Sequence, residues 1–513
     1  MRPSKEYLLL VVLCALFPNA FTQTQGSAAS ASADGAPAGS CAPPAYGCAR
    51  SDLITTDNLN PPPDVSKGKN TIVTPSDFNL PIVRITDGTL YENRTFTETP
   101  SGSNGDNIFN TTDTYMLVAD QEGWRYPVSF NASTMQIENA SPWNMGKNQQ
   151  RWGGSSSFSR VDANTVFTVM GGTSIAGVKP NKTTLMKVTL SGTAAIAATA
   201  EPVFDFRGCP GMPSPYDVTW RSTLTVSAGD KRFAEAFSNQ GGQNTGGDVM
   251  VYDAPSGQCY RYDAHHAQLC TASACVPMSL PDEFNVHEVY MSLSGEYLRI
   301  AFEKCLKGGC MADKGGHPYY WQIGTTNVVH CYSSSGRANC TGHQVEGYNH
   351  IYNSIDWPVT AKRSFSDPLS YALLNQSPRL TPTTDNHYSN NAADPDDTNP
   401  IWVTNVQEVR TTFGGKGCQK SGNVYEGCTF PGPLYGEVFG IKQDGSYIRA
   451  AHTYNSGSSP YFDCTDTIGA VSQSGRFFAW SSDWLTTLGE DDKRVNRCDI
   501  FVVNLAAQPG AKN

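Results

Sequence analysis

Short runs in which apolar and polar residues alternate fill most of this chain, and turn residues close nearly every run. The clearest set lies over residues 461–505. Strands are predicted at 467–471, 476–481 and 499–505, and Ser472-Gln473-Ser474-Gly475 between the first two is a tight turn whose glycine accepts positive φ. The same phrase, a strand, a short turn containing Gly and a return strand, recurs as VYMSLSGEYLRIAF over 289–302, LTVSAGDKRFAEAF over 224–237 and VFGIKQDGSYIRAA over 438–451. One antiparallel meander repeated at long intervals predicts an all-β chain folded as a single β-propeller with four-stranded antiparallel blades.

Inner strands, which line the central channel of such a ring, are expected to start near Asp113, Trp152, Trp220, His287, His350, His387 and Asp466. That gives seven blades, although spacings of 37 to 79 residues leave six or eight open. The alternating run PIVRITDG over 81–88 is the candidate for a strand that closes the ring by joining the last blade. Arg2 and Lys5 precede an apolar run over 7–17 that is too short to span a bilayer, so 1–22 reads as a secretory signal peptide. Residues 23–70, rich in Ser, Ala, Gly and Pro, read as a linker, 71–506 as the propeller and 507–513 as a tail.

Composition agrees with many short strands joined by turns: 47 Gly, 32 Pro, 23 Tyr and 22 Phe among 513 residues, with 16% charged. A net charge of −10 argues against nucleic acid as a partner. No segment beyond the signal is long and apolar enough to anchor the chain in a membrane, and a monomer is expected. Of 15 cysteines, Cys14 lies in the signal and the other 14 are even in number. Local spacing suggests Cys41 with Cys48, Cys270 with Cys275, Cys305 with Cys310, Cys331 with Cys340 and Cys418 with Cys428, while Cys209 with Cys259 and Cys464 with Cys498 would close blades. No pair has the C-x-x-C spacing of a zinc knuckle, so disulfides in an oxidising compartment are expected.

The phrases PIVRITDG, SLSGEYLRIAF, SQSGRFFAWSSD and RCDIFVVNL together resemble the blades of TolB-like propellers, which carry S-P-D-G followed by apolar residues and an I-Y-V-x-D-L outer strand. Here Leu-Ser, Gln-Ser and Gln-Asp stand where that pattern has Pro-Asp. The resemblance implies the fold and not TolB's role. A weaker similarity in layout is to secreted oligogalacturonate lyases, propellers that place several blade-derived histidines around a divalent metal at the channel mouth. That resemblance implies that His287, His350 and His387, with His452 or Gln344, hold a divalent ion, manganese or calcium. Such an ion would bind a substrate carboxylate and acidify the adjacent α-proton, with a nearby Lys, Tyr or Arg to abstract that proton or stabilise the resulting charge. The plainer alternative is that each histidine hydrogen-bonds across blade starts and packs the channel.

Aromatic residues beside Gly, Asn, Asp or Pro suggest platforms for sugar rings, and Tyr348, Trp402, Trp220 and Trp152 are the ligand-binding candidates. The alternative is that tryptophans pack between blades. The acidic run 385–400 lacks the spacing of a calcium loop and reads as solvated. Seven N-x-[ST] sequons begin at Asn93, Asn110, Asn131, Asn139, Asn181, Asn339 and Asn375. There is no nucleophile elbow and no phosphate-binding loop. The chain is expected to be a secreted, non-catalytic propeller that binds extracellular glycan or a cell-envelope protein through its channel mouth. The alternative is a metal-assisted polysaccharide lyase.

Overall fold

The computed structural model describes residues 40–508 apart from connecting segments, the longest being 139–151, 306–317, 376–385, 406–418 and 457–466, so the expected strand start Asp466 lies outside the described residues. Seven antiparallel blades follow one another along the chain. Inner strands of blades 2 to 7 are Trp152–Phe158, Thr219–Trp220 continued by Thr225–Val226, Phe284–Met291, Gln344–Glu346, Asn386–Ser389 and Gly469–Val471. In blade 1 the inner position is divided between Phe96–Glu98 and a bridge from Phe109 to Met116.

Two expected strand starts move. Asp113 lies in the turn after the inner strand of blade 1, with φ of 55°, and His350 begins the second strand of blade 5. The inner strand of blade 5 has only three residues, too few for a period of two to register in the sequence.

Middle strands such as Tyr115–Asp120, Glu437–Ile441 and Phe477–Ser482 are buried at every position, because each blade is covered on both faces by its neighbours. The apolar core therefore lies between blades. One cluster joins Val83 and Ile500 of blade 7 to Phe96 and Met116 of blade 1, and another joins Ala234 and Val251 of blade 3 to Val289 and Ile300 of blade 4. Turn glycines follow the sequence reading: Gly295 and Gly475 have φ of 77° and 71°, which a side chain would resist.

The ring is closed by Ile82–Arg84, which pairs antiparallel with Asp499–Asn504 as the outer strand of blade 7, Val83 opposite Val502. Ile82, Val83, Phe501, Val502 and Val503 are fully buried, at about 1.5–3 kcal/mol of burial each. Beside them Arg84 reaches Asp499 at 2.5 Å, and Arg497 and Thr86 complete the shell around the same carboxylate. Burial pushes the Asp499 carboxyl up, opposed by the two guanidinium groups.

Part of the stretch read as a linker is folded. Cys41 and Cys48 are joined, and Tyr46 between them is 3% exposed, its ring edge-on to Trp402 and its hydroxyl donating to the Gly475 carbonyl at 2.9 Å. Arg50 then bridges Arg449 on the outer strand of blade 6. The segment straps blades 6 and 7 from outside. A short disulfide loop around a single tyrosine has too few apolar residues to stand out by composition.

Cys209–Cys259, Cys270–Cys275 and Cys331–Cys340 pair as expected, and Cys498 is disulfide-bonded. The pairs 305–310 and 418–428, and Cys464, involve residues outside those described. Four bridges of this kind belong to an oxidising compartment. Among the described residues no helix is long and apolar enough to cross a membrane. Asn110 is fully buried and Asn375 is 6% exposed and bonded to the Tyr447 hydroxyl, so these two sequons serve the fold.

Replacing the shared carboxylate should open the ring closure. Asp499→Ala leaves Arg84 and Arg497 without their buried anion and is expected to cost about 3–5 kcal/mol in denaturant unfolding. Glu201→Ala, on an exposed edge pair with Lys187, is expected to stay within about 0.5 kcal/mol. Equal costs for the two would contradict this account of closure.

Candidate functional site at the two mouths of the channel

All inner strands run the same way through the ring, so their first residues meet at one mouth, here called upper, and their last residues at the other, lower mouth. His343 immediately precedes Gln344–Glu346, the inner strand of blade 5, and His387 is the second residue of Asn386–Ser389 in blade 6. Their rings meet at the upper mouth with centroids 4.2 Å apart and planes inclined by 34°. His387 is 2% exposed and His343 half-buried. Gln344 is buried and accepts a hydrogen bond from the Tyr320 hydroxyl at 2.6 Å, so its carbonyl oxygen is already engaged.

His287 lies in the inner strand of blade 4, where the register slips: Val286 opposes Phe302 and Glu288 opposes Ala301, leaving His287 as the extra residue of a bulge. Bulges re-aim side chains. The side chain of His287 lies outside those described, and among the described residues no group of three or more His, Cys, Asp or Glu is placed to hold a metal.

The other candidates separate. His350 starts the return strand of blade 5, at the lower end, and its Nδ1 lies 2.8 Å from Asp397 in the loop after the inner strand of blade 6. Asp397 also accepts the amides of Tyr348 at 2.6 Å and Asn349 at 2.8 Å. His350 therefore stitches two lower turns together and does not share a mouth with His387. His452 ends the outer strand of blade 6, fully buried, edge-on to Phe78 and 3.4 Å from Asp77 at the rim.

Trp402 is 1% exposed, packed between Tyr46 and Phe478, and offers no face to a sugar. Tyr348 is half-buried in a lower turn. Trp152 begins one inner strand and Trp220 ends the first part of another, while their side chains lie outside those described. His343 was not a site candidate from sequence. The Gly347-Tyr348-Asn349 turn marks a strand ending before it, and that signal would have placed His343 at the strand start.

No known family profile matches the chain, and no curated protein matches its sequence. Its fold is similar to that of an oligogalacturonate lyase in complex with manganese, at 10% identity and TM-score 0.50, over 89% of this chain and 98% of that one. An oligogalacturonate lyase from Vibrio parahaemolyticus aligns at 11% identity and TM-score 0.47, over 89% and 98%, and dipeptidyl peptidase 4 from Porphyromonas gingivalis at 7% and 0.35, over 84% and 56%. At such identity the first likeness speaks for the propeller fold alone.

The rim contact gives a pH signature. The hydrogen bond with His452, against the opposing effect of burial, holds the Asp77 carboxyl below the usual carboxylate range. A depressed folded-state pKa contributes stability above the unfolded value of about 3.9, and that contribution is lost as pH falls through the lower folded value. Thermal unfolding of the wild type and Asp77→Asn should differ near neutral pH and converge on acidification. A gap that widens below about pH 4 would contradict the assignment.

Proposed function

We propose that the protein is secreted and binds acidic extracellular glycan at the upper mouth, through a divalent metal held by His343 and His387 with His287 from the preceding blade. The contact of His343 and His387 across two blades carries this reading. Imidazoles sharing an ion at about 2.0–2.1 Å bring their donor nitrogens within about 4 Å of one another, a separation that rings 4.2 Å apart can meet. Nitrogen donors suit manganese and fit calcium poorly, since calcium takes oxygen ligands.

The overall charge makes a bound cation necessary to this reading. A chain of net −10 repels a polyuronate, and a cation at the mouth supplies the local attraction that the surface lacks. When bound, the ion would engage a uronate carboxylate and lower the pKa of the proton beside it. His343 and His387, fixed by the starts of two inner strands, would set the carboxylate's position against the channel axis.

Eliminative cleavage is the second reading, favoured by the same histidine contact, and the manganese-bound lyase of similar fold makes it worth testing. It requires in addition a base within hydrogen-bond reach of the acidified proton.

Metal analysis of protein purified without chelator should find about one divalent ion per chain, lost in His343→Ala and His387→Ala and kept in His350→Ala. Polygalacturonate binding should disappear with chelator and return with manganese. Growth of the ultraviolet absorbance of unsaturated uronate would add cleavage to binding. Metal retained by both upper-mouth variants, or lost from His350→Ala, would overturn the proposal.

A further inference from the structure

Asn110 holds the turn that joins blade 1 to its neighbours. Its side-chain oxygen accepts the amides of Thr114 at 2.7 Å and Tyr115 at 3.0 Å, which closes the turn between the inner and second strands. Its side-chain nitrogen donates to the Thr114 hydroxyl at 2.8 Å and, across to the lower turn of blade 2, to the Ala163 carbonyl at 2.7 Å. In the same turn Asp113 accepts from Ser474 of blade 7 at 2.6 Å. One short turn therefore ties blade 1 to the blades on both sides of it.

Asn110 is also the acceptor residue of the sequon Asn110-Thr111-Thr112. Such a sequon ordinarily marks a surface loop, where an attached sugar extends into solvent. Asn181 has an environment of that kind, its exposed side chain donating to Asp205 at 3.3 Å. Asn110 is the opposite case. It is fully buried, and the donors and acceptor of its amide are engaged by the fold.

N-linked glycosylation acts on a chain that is still unfolded, so burial in the finished protein does not shield the residue. The side-chain nitrogen bonds to C1 of the first sugar, a lipid diphosphate carrier leaves with the electrons of the C1–O bond, and the amide gives up one proton. At Asn110 this removes one of two hydrogens already in use and puts a sugar ring where the Ala163 carbonyl stands 2.7 Å away. A ring at that point parts blade 1 from blade 2, and the buried partners left unbonded add to the cost.

We infer that Asn110 is a glycosylation site whose occupancy blocks folding, so that the chain matures only along an export route that leaves this sequon bare. The inference rests on the reading of the chain as secreted and is independent of the metal at the upper mouth.

The full chain, behind its own signal and in parallel behind a host signal, is to be expressed in a eukaryotic secretory host and in a bacterial periplasm that lacks N-glycosylation. The bacterial product should be folded. In the eukaryotic host, glycopeptide mapping should find the Asn110 glycan in retained, protease-sensitive chain and not in secreted, folded chain. Thr112→Ala removes the sequon at an exposed position and leaves Asn110 its bonds to Thr114 and Ala163. It should raise eukaryotic secretion several-fold, while the bacterial variant unfolds near the wild-type temperature. Thr112→Ser keeps a sequon and should gain less. Export by the host signal alone would count against the secretory reading, with the Asn110 comparison then made on that product. A glycan on Asn110 in folded, secreted protein would overturn the inference, as would a bare Asn110 in both pools or equal secretion of wild type and Thr112→Ala.

Discussion

Everything at the channel depends on the ring being shut by Ile82–Arg84 against Asp499–Asn504. A blade exposes apolar residues on both faces and cannot stand alone, so its stability is borrowed from the blade on either side. Opening the ring at one seam would strip one face each from blades 7 and 1. The seam is held by hydrogen-bonded backbone, five fully buried apolar side chains and a carboxylate shared by two arginines. The charged part stabilises by complementarity: the carboxylate is unfavourable alone in that interior and well placed only with both cations present.

Closure converts distance in sequence into proximity. His343 and His387 are separated by a whole blade of chain, yet each stands at the start of an inner strand, and neighbouring inner strands start side by side. The same geometry sends His350 to the other end of the channel, although it is only seven residues from His343. A propeller thus has two chemically independent mouths. Here the upper one gathers imidazoles, and the lower one gathers amide, guanidinium and carboxylate groups with their charges already paired.

Most of the fold was legible because its repeated unit is local. A glycine with positive φ between two apolar strands is required by the turn itself, and Gly295 and Gly475 are where the pattern placed them. The closing strand was legible for the same reason. The site was less so. In blade 5 a three-residue strand hides the period, so His350 stood in for His343, a shift of one strand that changes the mouth. Trp402 beside Asn399 and Pro400 resembled a surface aromatic, but the strap carrying Tyr46 covers it from more than 350 residues away in sequence, which no local pattern records.

The central claim is that ring closure makes one metal site from histidines of adjacent blades at the upper mouth. Anomalous diffraction from crystals soaked in manganese tests it most directly. The account expects a single strong peak within about 2.2 Å of imidazole nitrogens of both His343 and His387. A peak at His350 and Asp397, or no peak between the two upper-mouth rings, would contradict it.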